Sequence, residues 1–260
     1  MCLLIFAFKA HPTYKLILAA NRDEYYDRPT APAGFWGKAP YLLAGKDLRA
    51  GGTWFGITKN GKMAAITNYR DPASIKKNAP SRGEILSDYL LGQDGPEAYL
   101  KNLSKRADVY NGFNLVLGER EHLIWYSNRD GELHNLSPGI YGLSNHLLDT
   151  PWPKVSQSKD ALTSQISGGK EPSPEALFRI LRDRTVPEDD RLPSTGVDLE
   201  WERILSPVFI ESPDYGTRSS TLLFIDQHDH VAFFEKTFTP RNEKASTVNY
   251  AFDLEPSNTS

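Results

Sequence analysis

The run Leu3-Leu-Ile-Phe-Ala-Phe8 is apolar at every position and starts two residues from the amino terminus. A six-residue apolar run that stops at a turn signal is too short for a buried helix and lacks the alternation of a half-exposed strand, so it reads as a strand covered on both faces. His11-Pro12-Thr13 supplies the turn, and residues 15–20 form a second apolar run, which predicts a hairpin of buried strands.

The rest of the pattern follows in blocks. A polar cluster, Asn21-Arg22-Asp23-Glu24 and on to Pro29, leads into a Pro- and Gly-rich stretch over 29–52 that reads as an extended loop. Residues 53–58 and 62–68 predict a hairpin around Lys59-Asn60-Gly61, where Asn-Gly is a strong turn signal. At Ser81 the period changes: Ser81 and Glu84 have capping-box spacing, and Ile85, Tyr89 and Leu90 recur at helical intervals. A second helix is expected over 96–105. Strands follow over 113–118, 123–126 and 139–143, and helices over 152–166 and 174–182. Residues 183–217 read as irregular, 219–226 and 231–236 as a last hairpin, and the polar tail as disordered over 256–260. Blocks of strands and helices segregated in this way predict an α+β fold with antiparallel sheets, and no linker divides residues 1–255, so one domain is expected.

Composition narrows the function. With 260 residues, 39% hydrophobic and 24% charged, the chain can bury a substantial core. A net charge of -3 without a long basic run argues against a nucleic-acid partner. The single cysteine excludes an intrachain disulfide and fits a reducing compartment. No signal-peptide pattern and no apolar stretch near the ~20 residues of a membrane span is present, so a soluble, cytoplasmic protein is expected, with organelle targeting left open.

That cysteine is Cys2. Removal of the initiator methionine, usual before a small residue, would give it a free α-amine of pKa about 7.7–8.0 beside a thiol of about 8.5. One residue then supplies both nucleophile and base. By itself a cysteine beside an apolar strand is more often a small buried hydrophobe. Asn21-Arg22-Asp23-Glu24 stands at the end of the strand expected to pair with that of Cys2. Asp23 can bond an α-ammonium, and Arg22 can neutralise Asp23 or bind a substrate carboxylate; a turn closed by local salt bridges is the plainer reading. Asn68 and Asn145 each follow an apolar run and can donate to an oxyanion or cap a turn. Arg218 can pair with Asp23, meet a ligand or remain a surface cation.

Together these residues resemble the NRDE family, also called the transport and Golgi organisation (Tango) family. The marks are Met1-Cys2, Asn21-Arg22-Asp23-Glu24, Gly51-Gly52-Thr53-Trp54, Thr67-Asn68-Tyr69-Arg70, Phe113-Asn114-Leu115, the tract 142–154 ending Asp149-Thr-Pro-Trp-Pro-Lys154, and Gly216-Thr-Arg-Ser-Ser220. More distantly the chain is similar to the cysteine N-terminal nucleophile (Ntn) hydrolases of the penicillin V acylase and bile-salt hydrolase group. That resemblance implies a four-layer αββα sandwich and amide cleavage, with Cys2 as nucleophile, Asp23 after the second strand, Asn145 at the oxyanion and Arg218 as the late arginine. The group carries Arg-Asn-x-Asp; here Ala20 stands where its arginine belongs, and Arg22 is displaced by two positions, on the same strand face but with a different reach.

These readings imply a Cys2-dependent hydrolase or acyl transferase for amide or thioester bonds. Cys2, Asp23, Asn145, Arg218 and Asn68 would be catalytic, and Asn21, Arg22, Glu24, Trp54 and His146 would line the ligand site. No cofactor or metal is required. The alternative is a haem or acyl-lipid carrier, since the resembled family is associated with haem handling and lipid metabolism. Cys2 and His146 are then the axial candidates, and haem a cargo. The expected partner is a small acyl or haem-like molecule. Phe35, Trp36, Tyr41, Trp54 and Phe55 can wall an apolar pocket, though core packing is their commoner use.

Overall fold

The computed structural model describes residues 3–239 and 245–256. Cys2 lies outside them, as does the expected tail over 256–260 apart from Pro256. The apolar run forms β1 (Leu3–Phe8), which pairs antiparallel with β2 (Tyr14–Tyr25). β2 is longer than expected: Asn21-Arg22-Asp23-Glu24 belongs to the strand and not to a turn.

The stretch 29–52 is not a loop. It forms β3 (Thr30–Trp36) and β4 (Ala39–Asp47), an antiparallel pair with register shifts between Ala31 and Gly34 and between Phe35 and Trp36. β3 is an edge strand, where Pro32 is tolerated at an irregularity and removes no interior ladder bond. The expected hairpin is present as β5 (Phe55–Thr58) and β6 (Lys62–Asn68). α1 (Gly83–Leu91) and α2 (Pro96–Ser104) follow. The expected capping box is not made: Arg82 occupies the N-cap, and the Glu84 carboxylate accepts from Tyr110 Oη at 2.7 Å.

β7 (Phe113–Glu119), β8 (His122–Ser127), the short β9 (Leu133–Asn135) and β10 (Gly139–Leu143) come next, then α3 (Pro153–Ile166) and α4 (Pro174–Ile180). The supposedly irregular segment contains α5 (Leu199–Leu205), begun by Asp198, whose side chain accepts from Trp201 N at 2.9 Å. The last hairpin is β11 (Tyr215–Asp226) and β12 (His230–Phe238). The polar tail then adds β13 (Ala245–Asp253), an edge strand that pairs along β12.

Among the described residues the strands make two antiparallel sheets, one ordered β10-β1-β2-β11-β12-β13 and the other β3 through β9 in sequence. Alternation along β1 and β2 divides their apolar side chains. Leu3, Ile5, Ala7, Ile17 and Ala19 pack with α3 and α4 through Val155, Leu162, Leu177 and Phe178. Leu4, Phe6, Leu16, Leu18 and Ala20 belong to the core facing the second sheet. Phe233 of β12 stacks on Phe55 of β5 at 6.0 Å across the sheets, and α1 packs on the far side against β4, β5 and β6. The architecture is therefore the four-layer αββα sandwich. Each fully buried Leu, Ile or Phe adds about 1.5–3 kcal/mol, which is why β1 is fixed so firmly.

Gly45 of β4 shows how tightly the inner layers meet. A methyl group there would stand 2.3 Å from Cζ2 of the buried Trp54 indole. Gly45→Ala is expected to cost about 1–3 kcal/mol in urea unfolding by forcing the indole aside. An unchanged midpoint would contradict this packing.

Candidate active site

The start of β1 is held between two neighbours: Leu3 pairs with Asn21 of β2, and Leu4 with Leu143 at the end of β10. Cys2 is the residue before Leu3. Polar groups gather around this end of the sheet, and strand alternation decides which of them meet.

Asn21 and Asp23 share the face of Ile17 and Ala19. The Asn21 side chain is fully buried: Nδ2 donates to Leu181 O and Val208 O, each at 2.8 Å, and Oδ1 accepts from Ser220 Oγ at 2.6 Å. It ties the segments after α4 and α5 to β2, so its groups are committed to the fold. Asp23 Oδ1 accepts from Thr217 Oγ1 at 2.6 Å, directly across the β2–β11 pair. Thr217 entered the sequence reading only within Gly216-Thr-Arg-Ser-Ser220, with no role of its own.

Arg22 and Glu24 point the other way, toward the second sheet. Arg22 therefore does not neutralise Asp23. Its guanidinium lies 4.3 Å from the Trp54 ring centre, with Glu24 at 3.6 Å and Asp47 at 4.0 Å. Burial pushes its pKa down, and the Glu24 and Asp47 charges oppose that. Burial pushes Asp47 up, but hydrogen bonds from Ala50 N, Arg28 and Arg49 N outweigh it and hold the carboxyl below its ordinary range. Arg28 Nε donates to Asp47 at 2.6 Å, so Asp47 is the acidic centre of this cluster.

Arg218 does not pair with Asp23 either. It sits at a register shift between Thr217 and Ser219, and Nη1 donates to the carbonyls of Tyr25 at 2.8 Å and Arg28 at 3.1 Å. It braces the end of β2 from outside.

Asn68 and Asn145 are brought together. The loop after β10 is pinned to the second sheet by Thr67 Oγ1, which donates to Ser144 O at 2.7 Å, and by Asn114 Nδ2, which donates to His146 O at 2.9 Å. Asn145 Nδ2 donates to Asn68 O at 3.0 Å, and its Oδ1 accepts from Arg70 Nη2 at 3.3 Å. The half-buried Asn68 side chain makes no hydrogen bond among the described residues. His146 turns aside; its ring lies against Tyr69 and Trp152, Nδ1 meets Thr150 Oγ1 at 2.9 Å, and burial lowers its pKa.

Asn68 stands where two clefts join. A polar one of about 310 Å³ is lined by Arg22, Asp23, Glu24, Trp54 and Arg82. A larger one of about 470 Å³ is lined by Tyr25, Tyr69, Asn145, Trp201 and Tyr215. α5 supplies Trp201 and is moored by a buried ion pair from Glu202 to Arg70 at 2.8 Å. Glu202 and Trp201 escaped the sequence reading because the segment that bears them was read as irregular, and Arg70 entered it only within Thr67-Asn68-Tyr69-Arg70, with no role of its own. Among the described residues no group of three or more His, Cys, Asp or Glu side chains could hold a metal ion.

The comparisons with known proteins bear on the whole chain. A family profile for Transport and Golgi organisation 2 matches residues 1–240. The chain belongs to this family. Its relatives include the Transport and Golgi organization protein 2 homolog of Bos taurus, 37% identical over 257 residues and covering 91% of this chain and 93% of that protein. Transport and Golgi organization protein 2 of Drosophila melanogaster is 30% identical over 270 residues, covering 92% and 93%. Among solved structures, a mutant conjugated bile acid hydrolase from Clostridium perfringens superposes with a TM-score of 0.51 at 9% identity, covering 100% of this chain and 98% of that one. This likeness shows the Ntn-hydrolase fold in the family member described here.

Beneath Arg22, on the inner face of the first sheet, lies Glu235, 1% exposed. Its carboxylate accepts from Ala33 N of β3 at 2.6 Å and Thr221 Oγ1 at 3.2 Å, bridging the two sheets. Burial pushes its pKa up from 4.5 to about 6, against those hydrogen bonds and the pull of Arg22. A raised acid binds more protons when folded, so stability falls as pH rises from about 4.5 to 6. Glu235→Gln is expected to remove a fall of about 2 kcal/mol over that window. Parallel pH profiles of unfolding free energy for the two proteins would contradict it.

Proposed function

We propose that this family member is a Cys2-dependent hydrolase or acyl transferase acting on amide or thioester bonds. The observation that carries the reading is the meeting of Asn68 and Asn145, with Asp23 lining the same cleft as Asn68, at the end of β1 next to Cys2 in the chain. In this mechanism Met1 is removed and the Cys2 α-amine takes the thiol proton. The thiolate attacks the substrate carbonyl carbon, and the oxyanion accepts hydrogen bonds from the Asn68 and Asn145 amides. The ammonium then returns its proton to the departing nitrogen or sulfur. An acyl-Cys2 thioester remains, to be released by water or a second nucleophile. In this reading Asp23, whose Oδ1 accepts from Thr217, orients the amine.

The alternative, a haem or acyl-lipid carrier, has one supporting observation. Burial lowers the pKa of His146 and favours the neutral imidazole that a metal accepts. Saturable binding of haem or acyl lipid without turnover would mark that reading.

The test is a panel of chromogenic acyl amides and acyl thioesters. Cys2→Ala is expected to abolish turnover, and Asn68→Ala and Asn145→Ala to lower kcat by about 10²–10³-fold each. Turnover unchanged in Cys2→Ala rules the mechanism out.

A further inference from the structure

A third cleft lies away from this chemistry, on the β3–β4 hairpin beyond the end of α1. It measures about 710 Å³, within the range of roughly 300–1,000 Å³ common for small-molecule sites, and shares no lining residue with either cleft at Asn68. Its walls are mainly apolar: Phe35, Trp36 and Tyr41 from the hairpin and Leu91 from α1. Tyr41 and Leu91 are exposed, at 37% and 38%.

The charge in the lining is of one sign. Lys38 and Lys46 contribute to it, and no Asp or Glu does. Neither lysine has a carboxylate within ion-pair reach among the described residues. The Lys46 ammonium instead stands 4.7 Å from the Trp36 ring centre, and Trp36 Nε1 donates to Ala44 O at 3.1 Å, which fixes the indole as a wall. In a protein of net charge -3 with 33 acidic residues, an apolar cleft edged only by lysines is a local region of positive charge, which attracts anions.

We infer that this cleft binds a single anionic amphiphile, a long-chain carboxylate, with its chain along Phe35, Trp36, Tyr41 and Leu91 and its head at the lysine-edged rim. The apolar wall accounts for the tail and the unpaired ammonium groups for the head. This site uses none of the residues of the catalytic reading; its ligand class rests on the acyl-lipid carrier reading, and the Asn68→Ala arm below separates this cleft from the one at Asn68.

The experiment is isothermal titration of the full chain with laurate below its micellar concentration. Saturable uptake is expected, weakened about tenfold or more in a Lys38→Gln/Lys46→Gln double variant, whose surface positions leave folding intact. Dodecanol, which has the chain without the charge, is expected to bind at least tenfold more weakly than laurate. Trp36→Leu should weaken both, and Asn68→Ala neither. Laurate binding that survives in the double lysine variant, dodecanol binding equal to laurate, or no saturable uptake would overturn the proposal. Uptake lost with Asn68→Ala would place the ligand in the other cleft and overturn it equally.

Discussion

The pairing of β1 between β2 and β10, with apolar side chains on both faces, sets where every polar group of the site can stand. A strand buried on both faces has no freedom to slip, because a shift of one residue would exchange the side chains of its two cores. Leu3 is thereby fixed opposite Asn21 and Leu4 opposite Leu143. The polar ends of β2 and β10 then arrive beside the chain start because of the register that apolar burial selects.

The same alternation sorts the charges. Asp23 goes to one face with Thr217; Arg22 goes to the other, onto Trp54 and between Glu24 and Asp47. A direct Arg22–Asp23 pair would need one of the two side chains to turn through the strand. The arginine cluster instead joins the sheets to each other, with Glu235 bridging to β3 below it. Asp23 is held on the opposite face by Thr217 and lines the polar cleft that reaches Asn68.

Much of this was legible in the sequence wherever burial was complete. Leu3–Phe8, the Asn60-Gly61 hairpin and the helical spacing of Ile85, Tyr89 and Leu90 each announce a local structure that the core then keeps. The edges were not legible. β3 contains Pro32 and Gly34, and β13 is mostly exposed, so neither has the apolar signal of a strand; partners far away in the chain make them strands. α5 is short and charged, and its place over the site depends on the Glu202–Arg70 pair. Asn68, Asn145 and Asp23 could be named from their positions at strand ends. That Asp23 meets Thr217, 194 residues on, could not, because only the β2–β11 register joins them.

The central claim is that Cys2 acts as a nucleophile with its own free amine. Intact mass spectrometry of the native protein, before and after brief exposure to an acyl thioester, tests it most directly. The account predicts a starting mass lacking one methionine and a transient gain of one acyl group, mapped to the amino-terminal peptide on Cys2. A starting mass that retains Met1, or an acyl group found elsewhere while Cys2 stays unmodified, would contradict it.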